Sequence, residues 1–269
     1  MKRIIVVLTL LVITTSAYAG THVFNFDDAG QLSGNWFIRD GKIWPQDPEN
    51  VDWSVENGEL VAISSDVCAG LSGNWILDDT YMDWKNYETS CRFKLVNTLV
   101  PNCKIYSNVI FSVHINLPTG IFLSLETRGA GGPWDKVVLG TSEFRWVGQP
   151  SLRTSLEEGR WYTVRMVAED GNYQIFIDDE LIVETRNTNL NSARGLAGFG
   201  IKNAEMHFDD FTITGEDIPE TLSPASQDLI TRMGLKPMIP ESEMQQSEKL
   251  AAVSARAKLA TTWGQVKAR

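Results

Sequence analysis

An all-β fold, a two-sheet antiparallel jelly-roll sandwich with a short α-helical C-terminal tail, is what this 269-residue sequence predicts. Three observations carry the prediction. Short segments of alternating apolar residues recur from Thr21 to about Gly215, and a period of two places one face of a strand against a core. Pairs such as Asn57-Gly58 and Asp170-Gly171 separate the segments, and these residue types tolerate the positive φ of tight hairpins. With 43% hydrophobic and 10% aromatic residues, the chain can fill the core of one large β domain or two small ones.

The strands follow in order. Val23 to Phe26 is a brief alternation ended by Asp27-Asp28-Ala29-Gly30. Trp53 to Ile63 reads as two strands folded on Asn57-Gly58. Tyr87 to Leu95, Ser107 to Ile115 and Ile121 to Arg128 each alternate, and Pro118-Thr119-Gly120 turns the chain between the last two. Trp161 to Ala168 and Tyr173 to Ile177 form a hairpin, in which Trp161 is expected in the core. Asp178-Asp179 turns into Glu180 to Glu184, and Gly195 to Ile201 and His207 to Ile213 close the set.

Both ends depart from this pattern. Met1-Lys2-Arg3, the apolar run Ile4 to Ile13 and then Ala17-Tyr18-Ala19 have the order of a secretory signal peptide, with cleavage expected after Ala19. That run is well short of the roughly 20 residues that span a bilayer, so no transmembrane span is expected. The mature chain is therefore expected outside the cytoplasm: extracellular, periplasmic or at the cell surface. After Gly215, Ser223-Pro224 with Leu229, Ile230, Met233 and Gly234 predicts a short capped helix. Glu241 to about Thr261 predicts a second, whose apolar seam (Leu250, Val253, Ala257, Ala260) is thin. Lys249, Arg256, Lys258, Lys267 and Arg269 make this end basic, a candidate contact for cell-envelope components. The expected organisation is a signal peptide over 1–19, a β-sandwich over 20–215, and a linker with helical basic tail over 216–269, the tail being an appendage.

Charge and composition exclude several function classes. The chain carries 24 basic and 34 acidic residues, a net charge of −10, which disfavours nucleic acid as a partner. Three cysteines (Cys68, Cys91, Cys103) and three histidines (His22, His114, His207), without a Cys-x-x-Cys pair, give poor support for zinc or haem. An oxidising compartment allows one disulfide; Cys91–Cys103 is favoured by its short loop, and the other pairings stay open.

Some segments resemble a known superfamily. Glu158-Gly-Arg-Trp-Tyr-Thr-Val-Arg-Met-Val167, Asp170-Gly171 and Ile175-Phe-Ile-Asp-Asp-Glu-Leu181 are similar to a hairpin of concanavalin A-like lectin/glucanase domains. Gly195-Leu-Ala-Gly-Phe-Gly-Ile201 and Phe208-Asp-Asp-Phe-Thr-Ile213 fit the same superfamily. Within it, laminin-G-like jelly rolls and 3-keto-disaccharide hydrolase-like domains look nearest, the latter through Trp53-Ser-Val-Glu-Asn-Gly-Glu-Leu60 and Asn108-Val-Ile-Phe111. The resemblance covers about residues 21–215 and implies the fold more than an activity. Glucanases of the superfamily set their carboxylates on one strand as Glu-x-Asp-x-x-Glu or a variant one residue shorter; this chain has no such triplet.

Three sets of residues could carry chemistry. Asp27-Asp28 and Asp209-Asp210 lie on terminal strands, often neighbours in jelly rolls, and four converging carboxylates suit calcium; turn caps and solvated acids are the alternative. Trp134, in the loop Gly131-Gly-Pro-Trp-Asp135, with Trp44 and Trp146, are candidate sugar platforms, because an exposed indole matches the apolar face of a sugar. Trp134 could equally be a loop anchor folded onto the sandwich. In the strand Ile121 to Arg128, Ile121, Leu123 and Leu125 should face the core and Phe122, Ser124, Glu126 and Arg128 the other side. If that side is concave, Glu126, Arg128 and His114 form a polar floor, with Glu126 and His114 as candidate catalytic groups; His114 joins it only if its strand has no bulge.

These residues lead to three functional expectations. The first is an exported, non-catalytic module binding a poly- or oligosaccharide. The second is a sugar-processing hydrolase or lyase of the 3-keto-disaccharide hydrolase-like type. A structural or adhesion domain of the envelope is the third. Without a glucanase triplet, a Gly-x-Ser-x-Gly or a nucleotide fingerprint, the sequence leans away from catalysis.

Overall fold

Two antiparallel sheets form the architecture, in a computed structural model that describes residues 20–32, 34–39, 51–64, 72–76, 78–98, 107–116, 119–129, 131–141, 146–148, 151–186 and 193–238. The eight-stranded sheet runs β14 (Glu180–Arg186), β13 (Asn172–Ile177), β12 (Trp161–Glu169), β6 (Tyr87–Thr98), β16 (Ala204–Gly215), β4 (Glu59–Ser64), β3 (Val51–Glu56). In the same sheet β1 (Gly20–Phe24) pairs with the far end of β16. The nine-stranded sheet runs β10 (Trp146–Gly148), β9 (Trp134–Thr141), β8 (Thr119–Thr127), β7 (Asn108–Asn116), β15 (Leu196–Lys202), β5 (Ser72–Ile76), β2 (Trp36–Arg39), β17 (Lys236–Pro237), and β11 (Ser151–Leu156) also pairs with β9. Neighbours distant in sequence, such as β6 beside β16, give the crossovers of a jelly roll.

Alternation builds the core between the sheets. β6 buries Tyr87, Cys91, Phe93 and Leu95, and β12 buries Tyr162, Val164, Met166 and Ala168. Opposite them stand Val109, Phe111 and Val113 of β7, Ile121, Leu123 and Leu125 of β8, and Ala197, Phe199 and Ile201 of β15. Phe199 stacks on Phe208 at 4.3 Å between ring centroids and meets Trp36 at 5.6 Å, contacts that add to the area they bury. Trp161, expected in the core, instead lies on the outer face, because the parity of β12 sends Tyr162 inward. Arg92 and Lys94 sit over its ring at 4.6 and 4.4 Å.

Hairpins form where the sequence places them. Asn57 and Gly58 have φ of 55° and 79°, and Asp170 and Gly171 have 46° and 77°, the positive values of turns whose twist matches the flanking strands.

After Gly215 the chain keeps packing on the sandwich. Helix α1 (Gln227–Met233) is capped by the Ser226 side chain, which accepts from the Leu229 N–H, and ends at Gly234 with φ 63°. Its apolar face, Leu229, Ile230 and Met233, is buried. Asp78 accepts from the Ser223 N–H and Asp79 from the Ser226 N–H, while Met238 N–H donates to Trp36 O at 3.1 Å. Gly20 N–H donates to Ile218 O, and a Cβ on Gly20 would meet that oxygen at 2.3 Å. The expectation of an appendage beginning at 216 is therefore corrected: 216–238 is part of the packed body. The expected signal peptide and the helix expected over 241–261 lie outside the described residues.

The Cys91–Cys103 expectation is corrected too. Cys91 is a free thiol buried in the core, donating to backbone carbonyls of Arg92 and Asp209. It faces inward because β6 alternates strictly, and burial pushes the thiol well above its usual range. Cys103 and Cys68 lie outside the described residues. No helix among the described residues is long and apolar enough to cross a membrane.

Candidate functional site

The outer face of the nine-stranded sheet carries a row of polar residues set by register. Lys202, Asn108, Glu126, Lys136 and Ser151 stand opposite one another across β15, β7, β8, β9 and β11, and residues directly opposite share a face. Glu126 is where the alternation of β8 predicts it. Its side chain is 5% exposed, with Lys136 Nζ at 2.6 Å from Oε2 and the Ser124 hydroxyl donating to Oε1 at 2.9 Å. A buried carboxyl group without partners is costly, and the ammonium and hydroxyl are the partners that satisfy it there. Lys136 is 38% exposed, so the pair runs from buried oxygen to accessible cation.

Asn108, next to Glu126 in this row, is buried, and its Oδ1 has no hydrogen-bond partner. A buried acceptor left without a donor costs about 1–3 kcal/mol, and native structures hold few of them. Two further rows complete the face: Gly200, Ile110, Ser124 and Val138, then Gly198, Ser112, Phe122 and Gly140. A Cβ on Gly140 would meet the Phe122 ring at 2.9 Å, so glycine is what lets that ring lie across the strand. The face thus sets a buried carboxylate and a buried, unsatisfied amide oxygen beside a partly exposed ammonium and an aromatic ring.

The other predicted residues of this floor are elsewhere. Arg128 lies beyond the end of β8, exposed, with Nε 2.6 Å from Asp135 Oδ1. His114 is buried on the inner side, not on the face of Glu126. A bulge moves it: Ser112 pairs with Gly198 but Ile115 with Leu196, leaving one extra residue in β7, and His114 takes φ 55°. Its Nε2 is 2.7 Å from Lys85 O and its Nδ1 3.0 Å from the Tyr173 hydroxyl. Burial holds the imidazole at about 4, far below its usual value.

The candidate sugar platforms divide in the same way. Trp134 is buried and donates from Nε1 to Thr98 Oγ1 at 2.9 Å, so it anchors the loop. Glu126 pairs with Lys136 but Thr127 with Trp134, which makes Asp135 an extra residue and turns Trp134 inward. Trp146 opens β10 opposite Gly140, and Trp44 lies outside the described residues.

The four aspartates do not gather around a calcium ion. Asp28 accepts from the Gly30 N–H and Asp27 from the Asn25 amide, both within the first turn. Arg92 binds Asp209 and Asp210 at 3.2 and 3.0 Å, supplying the cation they need. Burial holds the Asp209 carboxyl above the usual range, against the hydrogen bond from Asp210 N–H. Among the described residues no group of three or more His, Cys, Asp or Glu side chains is placed to hold a metal ion.

Sequence reasoning missed a cross-strand ladder on the outer face of the other sheet. Glu59 binds Lys94 at 3.0 Å and His207 through Nδ1. Burial opposes the charge of Glu59, but hydrogen bonds from His207 and Lys94 prevail and lower its pKa. The ladder joins β4, β16 and β6, residues too far apart in sequence for spacing to reveal.

Residues 23–214 match the family model described as the 3-keto-alpha-glucoside-1,2-lyase-like domain. No curated protein matches the chain in sequence. Among solved structures, a Bacillus licheniformis beta-glucanase aligns with a TM-score of 0.54 at 11% identity, covering 73% of this chain and 98% of that one. A structure reported with endo-acting O-glycanases of the human gut microbiota aligns at 0.51 and 11% identity, covering 72% and 98%. A galectin-like protein from Bacillus subtilis aligns at 0.51 and 10% identity, covering 71% and 94%. At such identities these likenesses show the fold, and the fold is a concanavalin-like jelly roll.

Proposed function

Because the chain belongs to the 3-keto-alpha-glucoside-1,2-lyase-like domain family, we propose that it is an exported saccharide-recognition domain that contacts sugar through the outer face of the nine-stranded sheet. One observation carries this reading: the Glu126 carboxylate, fixed by Ser124 and Lys136, beside the unpartnered Oδ1 of Asn108. Sugar hydroxyls both donate and accept. One hydroxyl can donate to Asn108 Oδ1 while its neighbour donates to Glu126 and accepts from Lys136, and bonds to charged groups are the strong ones. Phe122, lying across Gly140, suits the apolar face of a sugar ring. Two of the aligned structures are named for glycan-cleaving enzymes, in keeping with a sugar ligand. Export is supported by the order of features in 1–19, with the first strand opening at Gly20 beside the expected cleavage point.

Binding is favoured over glycoside hydrolysis because hydrolysis uses a pair of carboxyl groups across the scissile bond, whereas Glu126 is partnered by an ammonium and a hydroxyl. The family name supports a second reading. In a 3-keto-glucoside the ketone acidifies the C2 proton; a base takes it, the C2–H electron pair forms the C1=C2 bond, and the C1 oxygen leaves. Glu126 with Lys136 at 2.6 Å supplies a base and a cation for the developing enolate.

Calorimetric titration against neutral oligosaccharides tests the first reading. Glu126→Gln and Asn108→Ala should each weaken binding about tenfold or more with the β circular dichroism intact. Wild-type affinity in both variants would remove the face as the binding surface. For the second reading, the protein should release product from 3-keto-glucosides and the Glu126→Gln variant should not.

A further inference from the structure

A cleft of about 200 Å³ opens between β11 of the nine-stranded sheet and β12–β14 at the edge of the other. It is separate from the polar row of Asn108 and Glu126, none of which lines it. Its lining is mixed: Leu152 and Leu156 on one side and Ile177 and Ile182 on the other stand among Arg153, Thr154, Ser155, Arg160, Asp178 and Glu180. Tyr162 lines it too; its oxygen accepts from the Glu157 N–H at 2.7 Å, which leaves the phenolic proton for a further acceptor.

Two arginines stand at this cleft, and one is held in place. Arg160 Nη2 binds Asp178 Oδ2 at 2.9 Å, and its guanidinium lies 4.6 Å from the Tyr162 ring centroid. Arg153 Nε binds Glu180 Oε1 at 3.0 Å. Each ion pair engages one nitrogen, so most guanidinium donors still point to solvent. The turn that presents Asp178 has φ of 47° and 64° at Asp178 and Asp179, left-handed values that aspartate tolerates and glycine adopts freely. Asp178 is anchored there by accepting from the Thr163 N–H at 2.9 Å while its other oxygen holds Arg160. Asp178 thus orients a guanidinium over an aromatic floor.

We propose that this cleft is a second ligand site, for a single sugar ring bearing an anionic substituent. The four aliphatic side chains take the ring's C–H faces, the Tyr162 hydroxyl donates to a ring oxygen, and the arginine forks bind the anion, a geometry that guanidinium matches better than ammonium. At about 200 Å³ the cleft is smaller than the roughly 300 Å³ at which drug-sized pockets begin, a size that suits one sugar ring. The site rests on the saccharide reading of the protein for its biological sense, but its occupancy is a separate matter.

Amide NMR spectra of the protein, titrated with glucuronate, glucose 6-sulfate and glucose, test it. Either anionic sugar should shift amides of residues 152–156, 160–163 and 177–182 with an affinity on the order of millimolar, and glucose should not; which anion binds more tightly tells the substituent. The exposed double substitution Arg153→Gln/Arg160→Gln should weaken this binding about tenfold or more. Shifts equal for all three sugars, or unchanged by the double substitution, overturn the site. Shifts confined to the neighbourhood of Asn108 and Lys136 also overturn it while leaving the sheet-face reading standing.

Discussion

The imidazole of His114 sits between the two sheets with a fixed tautomer. Lys85 O can only accept, so Nε2 carries the proton and Nδ1 accepts from the Tyr173 hydroxyl. The backbone N–H of His114 donates to the Tyr87 hydroxyl at 2.7 Å, and Tyr87 in turn donates to the carbonyls of Gly195 and Leu196. Protonating Nδ1 would break the Tyr173 bond and bury a charge, which is why its value is lowered to about 4. A group whose folded pKa is depressed stabilises the fold above the unfolded value, about 6.5, and loses that contribution as pH falls through about 4. Over that window the loss is on the order of 3 kcal/mol. His114→Gln, which does not titrate, should be less stable than the parent at pH 7, and the gap should narrow steadily toward pH 4. Urea unfolding at pH 7, 5.5 and 4 checks this; a gap independent of pH would show that His114 titrates normally in the fold.

At the scale of strands, alternation was readable wherever it ran unbroken. β8 placed Ile121, Leu123 and Leu125 inward and Glu126 outward as its sequence implies. The fold's illegible points are its bulges, where one extra residue reverses the parity of everything beyond. In β16 the inward residues change from Met206 and Phe208 to Phe211 and Ile213 across Asp210, which has φ 48°. The same device buries His114 in β7 and Trp134 in β9. A single sequence marks such sites only by a residue type that tolerates positive φ, and Asp, Asn and His occur in many ordinary places. The Asp178-Asp179 turn is a case where such a residue is not the best one. Asp179 has φ 64°, a conformation glycine adopts freely. Asp179→Gly should therefore stabilise the protein by roughly 0.5–1 kcal/mol, net of the flexibility glycine adds to the unfolded chain. That is a rise of about 1–4 °C in Tm for a body of this size; a fall would mean that the Asp179 side chain makes a contribution larger than the strain.

For the molecule as a whole, the question is where the folding unit ends. Composition changes after Gly215, and the family match ends at 214, yet packing continues. Ile218, Leu229, Ile230, Met233 and Leu235 are all buried, and burying one such side chain is worth about 1.5–3 kcal/mol before entropic costs. Lys236 and Pro237 extend the nine-stranded sheet by pairing with Ile38 and Phe37 of β2. Truncation after Gly215 would expose this apolar surface and remove the acceptor that Ile218 offers to Gly20, unfastening β1 as well. The sum, on the order of 5 kcal/mol after those costs, is comparable to the whole stability of a typical domain. A chain ending at Gly215 should thus melt well below the full-length protein or fail to fold, whereas one ending at Met238 keeps every contact named here and should melt within a degree or two of it. Thermal melts of the two truncations decide the matter. Equal Tm values for both would mean that α1 and β17 rest on the sandwich without stabilising it, and the boundary belongs at 215 after all.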